Sequence, residues 1–78
     1  MGVKVRLTFP EELIRQPLLA RMVQAYGVLP NIRRASVDDH EGWIICEIDG
    51  EAEAVEKSLS WLTSQGVKVD ALGDLIEG

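Results

Sequence analysis

Cysteine, histidine and long apolar runs are what this chain has least of. It holds one cysteine and one histidine in 78 residues. A single cysteine closes no internal disulfide, which matches a reducing cytoplasm, and an iron–sulfur cluster needs four thiolates. His40 has no second histidine or cysteine nearby at metal-ligand spacing, so no metal site is expected. No apolar run approaches the roughly 20 residues that span a bilayer. No glycine-rich loop ends in the Gly-Lys of a P-loop, which excludes ATP hydrolysis by that route. Basic residues are the minority, with 8 Lys and Arg against 13 Asp and Glu and a net charge of -5. Nucleic-acid binders need clustered cations, so that balance argues against such a partner. No acid/base pair, activated nucleophile or metal cluster can be assembled, so neither catalysis nor a cofactor is expected. The first residues, MGVKVRLTF, alternate like a strand and carry no signal-peptide pattern.

What is present is the pattern of one small folded domain, expected over residues 1–78 with a core from about 3 to 72 and a tail at 73–78. Apolar residues make up 46% of the chain and charged residues 27%, which is ordinary for a globular protein. Val3, Val5, Leu7 and Phe9 alternate with Lys4, Arg6 and Thr8, the period of a half-buried strand. Pro17 is favoured at a helix start and costs about 3 kcal/mol in a helix interior, so a helix begins near it. Leu18, Leu19, Met22, Val23 and Tyr26 form its apolar face, and Gly27 sits where a C-cap glycine belongs. Leu13 and Ile14 should tuck under the loop that enters this helix.

The stretch LPNIRRASVDDHEGWIICEIDG organises the rest. It reads as two strands joined by a polar turn at residues 38–42, with Gly42 able to take positive φ. On simple alternation Ile32, Arg34, Ser36 and Asp38 share one face, and Arg33, Ala35 and Val37 the other. Ile44, Cys46 and Ile48 are a clean apolar face; Trp43 and Ile45 lie opposite. A second helix follows, capped by Asp49 or Gly50 and led by Glu51 and Glu53 toward the positive end of its dipole. Val55, Leu59 and Leu62 form its apolar stripe, Glu53 and Lys57 pair at four residues, and Gly66 ends it. Val67, Val69 and Ala71 then alternate as a fourth strand. The order predicts a ferredoxin-like βαββαβ domain of the α+β class, with a four-stranded antiparallel sheet and both helices on one face. Val5, Leu7, Val37, Ile44, Cys46, Ile48, Val67 and Val69 should meet the helices. The open face should carry Arg6, Ile32, Arg34, Trp43 and Ile45.

Several residues admit two readings. Asn31 after Pro30 is a turn or strand-start residue, or an amide that pairs with an amino acid's carboxylate and ammonium. Arg33 and Arg34 form a solvated strand face, or hold an oxyanion in bidentate fashion. Cys46 on the buried side reads as a small core residue. Trp43, on a face open to water, is a candidate interface anchor together with Ile45. Trp61 reads as a lid on the core edge.

The run QPLLARMVQAYGVLPNIRRA resembles the Pro-led helix, short turn and Asn-Ile-Leu signature of the NIL domain. EAVEKSLSWLTSQGVKVDAL is similar to that family's second helix and last strand. The resemblance covers about Val3 to Leu72. It implies a regulatory domain like the one at the C-terminus of methionine-import ATPases, similar in fold to amino-acid-sensing ACT domains. It also implies pairing as dimers and binding of methionine. The signature asparagine falls on Asn31 and the isoleucine on Ile32; Arg33 stands where the family has leucine. The ligand-binding residues implied are therefore Asn31, Ile32 and Arg33. Stand-alone family members, some joined to ferredoxin modules in proteins of homocysteine synthesis, are the more similar in their Asn-Ile-Arg-Arg run. The expected function is a cytoplasmic, homodimeric domain that senses methionine or a related sulfur amino acid, with a transporter or ferredoxin as partner. The alternative is an accessory protein-interaction module that binds no ligand.

Overall fold

The computed structural model describes residues 2–74. Their elements run β1 (Gly2–Pro10), a 3-10 turn (Glu11–Leu13), α1 (Leu18–Tyr26), β2 (Leu29–Val37), β3 (Glu41–Asp49), α2 (Ala52–Ser64) and β4 (Lys68–Asp74). The sheet order is β2-β3-β1-β4, and every neighbouring pair is antiparallel. This is the ferredoxin-like α+β arrangement that the element order predicts.

Local chemistry explains the boundaries. Pro17 stands directly before α1, and Gly27 closes it in the left-handed conformation at φ 68°. At the end of α2, Gly66 takes φ 103°, its N–H bonds the Thr63 carbonyl and the Val67 N–H bonds the Leu62 carbonyl. That pair of bonds is a Schellman closure, which a glycine permits without Cβ strain. Glu51 is still extended, so α2 starts one residue later than a cap at Gly50 requires, and no side chain caps it. The Asp49 carboxylate accepts the Gly50 N–H instead. Lys57 and Glu53 form the expected pair at 2.9 Å.

The core lies between the sheet and the helices. Val5, Leu7, Phe9, Cys46 and Ile48 from the strands, with Val67 just before β4, meet Leu18, Met22, Val55 and Leu62 from the helices. Ile44 and Val69 are partly buried against them, as are Leu13 and Ile14 under the loop to α1. Ser58, fully buried, donates its hydroxyl to the Val55 carbonyl at 2.8 Å. Tyr26 and Trp61 bring α1 and α2 together, with ring centroids 6.3 Å apart.

Several further sequence expectations differ from the structure. The hairpin turn is tighter: the Asp38 carboxylate accepts the N–H groups of His40 and Glu41, each at 2.8 Å, and β3 resumes at Glu41. Gly42 therefore lies within β3 opposite Val37, without positive φ. A bulge at Arg33 breaks the alternation of β2, so Ile32 pairs with Cys46 and Arg34 with Ile45. Ile32 thus belongs to the helix side of the sheet and not to the open face. Val37 also lies on the helix side but is 64% exposed, because β2 is an edge strand at the margin of the core. β4 runs on to Asp74, past the expected tail boundary, while the tail residues Leu75 and Ile76 fall outside the described residues.

Candidate functional site

Asn31, Ile32 and Arg33 sit together on the β2 edge, and the bulge distributes them. Asn31 lies across from Glu47, and the Arg33 guanidinium is ion-paired with the same Glu47 carboxylate. That hydrogen bond, with the attraction of the Glu47 charge, raises the Arg33 pKa and holds the side chain over β3. Ile32 projects from the opposite side. Among the described residues the outer flank of β2 has no neighbouring strand, and Leu29, Ile32 and Val37 along it are 66%, 53% and 64% exposed. An edge strand of nine residues with that much apolar surface is a ready template for pairing.

The open face of the sheet holds Trp43 and Ile45, both half-buried. The Arg6 guanidinium lies 4.7 Å from the Trp43 ring centroid, a cation–π contact. Ile45 is flanked in register by Arg6 on β1 and Arg34 on β2. The structure thus places the two residues expected at an interface side by side, with Arg6 and Arg34 beside Ile45.

A second feature escapes the sequence reading. An apolar cavity of about 170 Å³ lies where the start of α1 meets the hairpin end of the sheet. Phe9, Ile14, Leu18, Leu19, Val37 and Ile44 line it. The first turn of α1 has no acidic residue and no side-chain cap, and its Leu18 N–H donates to the Gln16 carbonyl at 2.8 Å. The signals in the sequence are Leu13-Ile14 ahead of Pro17 and Gly42 on an otherwise bulky strand. A Cβ at Gly42 would stand 3.8 Å from Ile14. A polar hollow adjoins it, sharing Ile14 and Val37 and edged by Glu11, Glu12, Asp38 and Asp39.

The remaining candidates are Cys46 and His40. Cys46 is fully buried, and desolvation pushes its thiol up to about 11, the state of an inert core residue. His40 is exposed and stands 3.3 Å from Glu11. Among the described residues no His, Cys, Asp and Glu group could hold a metal ion, and no helix is long and apolar enough to cross a membrane.

A family model of the NIL domain matches residues 3–71. The chain is 29% identical over 75 residues to the methionine import ATP-binding protein MetN of Bacillus subtilis, covering 91% of this chain and 22% of that protein. It is 32% identical over 66 residues to the L-aspartate semialdehyde sulfurtransferase iron-sulfur subunit of Methanocaldococcus jannaschii, covering 85% of this chain and 50% of that one. The chain therefore spans half or less of these relatives. In fold it is similar to the crystal structure of the C-terminal domain of an ABC transporter ATP-binding protein from Enterococcus faecalis. The TM-score is 0.81 at 23% identity, over 95% of this chain and 87% of that domain.

Proposed function

The chain belongs to the NIL-domain family, and from that premise we propose that it is a regulatory domain sensing methionine or a related sulfur amino acid as a homodimer. One relative carries methionine import in its name and the other a sulfurtransferase iron–sulfur subunit, so both point to sulfur amino-acid metabolism. The domain acts by binding rather than by catalysis, in the cytoplasm, on a transporter or a ferredoxin-bearing partner.

The observation that carries this reading is the β2 edge. Asn31, Ile32 and Arg33 lie on a strand with an unpaired flank and exposed Leu29, Ile32 and Val37. A second copy added there covers this apolar surface and brings two Asn31 amides near one another. Such an amide offers donors to a carboxylate and an acceptor to an ammonium, the two charged groups of a free amino acid. Ligand that prefers one dimer arrangement shifts the population toward it and so alters the partner.

Calorimetric titration with L-methionine tests the reading, with homocysteine, cysteine and leucine as comparators. Saturable heat for methionine that Asn31→Ala abolishes supports it. Binding that survives Asn31→Ala but is lost when Leu19→Phe fills the apolar cavity moves the ligand to that cavity. A second reading, an accessory module without a ligand, is favoured by Trp43 and Ile45 side by side on the open sheet face.

A further inference from the structure

We infer that the open face of the sheet is a docking surface for a protein partner that presents acidic residues around an apolar contact. The inference deepens the accessory-module reading and rests on it for the location of the surface. It does not depend on amino-acid binding.

The argument is one of charge distribution. The chain as a whole carries a net charge of -5, with only 8 Lys and Arg. Of these, Lys4, Arg6, Arg33, Arg34 and Lys68 all lie on the open face. Strand register puts them there: Lys4 opposes Glu47, Arg6 opposes Ile45 and Asp70, Arg34 opposes Ile45, and Lys68 opposes Thr8. Among the described side chains the acids of this face are Glu41, Glu47, Asp49 and Asp70, with Glu41 at the hairpin end opposite Pro10. Glu47 is committed to Arg33, Asp70 stands 3.9 Å from Lys68, and Asp49 lies at the end of β3. Lys4 and Arg34 have no ion-pair partner among the described residues. The face therefore carries five cations against four acids, a small positive excess on a molecule of net charge -5.

Its centre has the make-up of an interaction surface. Trp43 and Ile45 supply apolar area, and the Arg6 guanidinium lies over the Trp43 ring, 4.7 Å from its centroid. A guanidinium fixed on an aromatic face keeps its N–H edge for an incoming carboxylate and loses little rotamer freedom on binding. Trp and Arg are also the residue types most often dominant in protein interfaces. A second copy presenting this same face would bring two surfaces of the same net sign together, which like-charge repulsion disfavours. Nucleic acid fits less well, since stacking needs free aromatic faces and Arg6 covers Trp43. An acidic protein surface with an apolar centre matches both the charge and the Trp43–Ile45 strip.

The test uses a labelled peptide rich in glutamate and leucine, its glutamine counterpart, oligouridylate and phosphatidylserine vesicles. Binding is read by fluorescence anisotropy, or by sedimentation for vesicles, at rising salt. The acidic peptide should bind the wild-type chain with an affinity that falls as salt rises. Arg6→Glu with Arg34→Glu should weaken it by at least about tenfold, and Trp43→Ala should weaken it too. Arg21→Glu on α1, of equal charge change per site, should leave it unchanged. Circular dichroism establishes that each variant is folded. Equal binding of the glutamine peptide, lost on Trp43→Ala, would keep the surface and overturn its acidic partner. Absence of peptide binding, or tighter binding of oligouridylate or vesicles, overturns the proposal, as does peptide binding that the charge reversals leave intact.

Discussion

Ile32 pairs with Cys46 on the helix side of the sheet, while Asn31 and Arg33 on either side of it both meet Glu47 on the open side. A regular strand would place Asn31 and Arg33 on one face as well, but would carry Arg34 with Ile32. The extra residue at Arg33 instead sets Arg34 beside Ile45. Bulges of this kind re-aim side chains at functional edges. Deleting Arg33 should restore regular pairing with Ile32 still opposite Cys46. The lost ion pair is exposed and screened by solvent, so it contributes little to stability. The deletion variant should therefore fold, with a thermal midpoint within about 8 °C of wild type. Its amino-acid response should be absent. A variant that does not fold would show the bulge to be structural.

Much of this architecture is legible in the sequence, because it rests on period-two and period-3.6 patterns with few interruptions. Val3 to Phe9, the Pro17–Gly27 helix and the Ile44–Ile48 face each state their element and their buried side. The bulge at Arg33 is not legible, since Arg33 and Arg34 carry the same chemistry and either parity leaves a plausible face. The exposure of Val37 is hidden for another reason: alternation gives a side of the sheet, not the distance from its edge. The apolar cavity depends on Ile14, Leu19 and Val37 converging from three segments. Asn31 stands out through family resemblance, because a lone asparagine after proline is otherwise a common strand-start residue.

The thiol of Cys46 should be unreactive in the native state. Burial raises it to about 11, whereas an unfolded cysteine titrates near 8.5, roughly. The folded state thus favours the protonated form. That contribution is whole below the unfolded value and is lost as pH rises from there through the folded value. Iodoacetamide at mildly alkaline pH should label the chain at the rate of global unfolding. Urea melts should show stability declining above about pH 8.5, and Cys46→Ala should flatten that decline. Rapid labelling without unfolding would contradict the burial.

Asp38 sets the acid limit of the hairpin. Its carboxylate accepts the N–H groups of His40 and Glu41, which lowers its pKa. A depressed carboxylate stabilises the fold above its unfolded value, near 3.9 or about that, and the benefit is lost as pH falls through the folded value. Asp38→Ala should destabilise the chain at neutral pH, and its gap to wild type should narrow on acidification. Asp38→Asn, which keeps an acceptor but does not titrate, should lie between them. A constant gap across the acid range would exclude the ionised carboxylate as the cause.

Gly27 and Gly42 should respond differently to alanine. Gly27 holds φ 68° at the end of α1, where a Cβ costs about 1 kcal/mol. Gly27→Ala should lower the thermal midpoint by about 4–8 °C. At Gly42 a Cβ meets nothing nearer than Val37 at 3.6 Å, ordinary contact, and φ is not positive. Gly42→Ala should shift the midpoint little while narrowing the neighbouring cavity. Calorimetry of this variant with methionine then shows whether the cavity takes part in binding: unchanged heat keeps the ligand at the β2 edge.

Titration of the folded chain with L-methionine, repeated on Asn31→Ala, tests the central claim most directly. The account predicts saturable heat for methionine, stronger than for leucine, and its loss in an Asn31→Ala variant that melts like wild type. Absence of heat with methionine, homocysteine and cysteine in a folded protein would contradict it, leaving the open sheet face as the working surface of the domain.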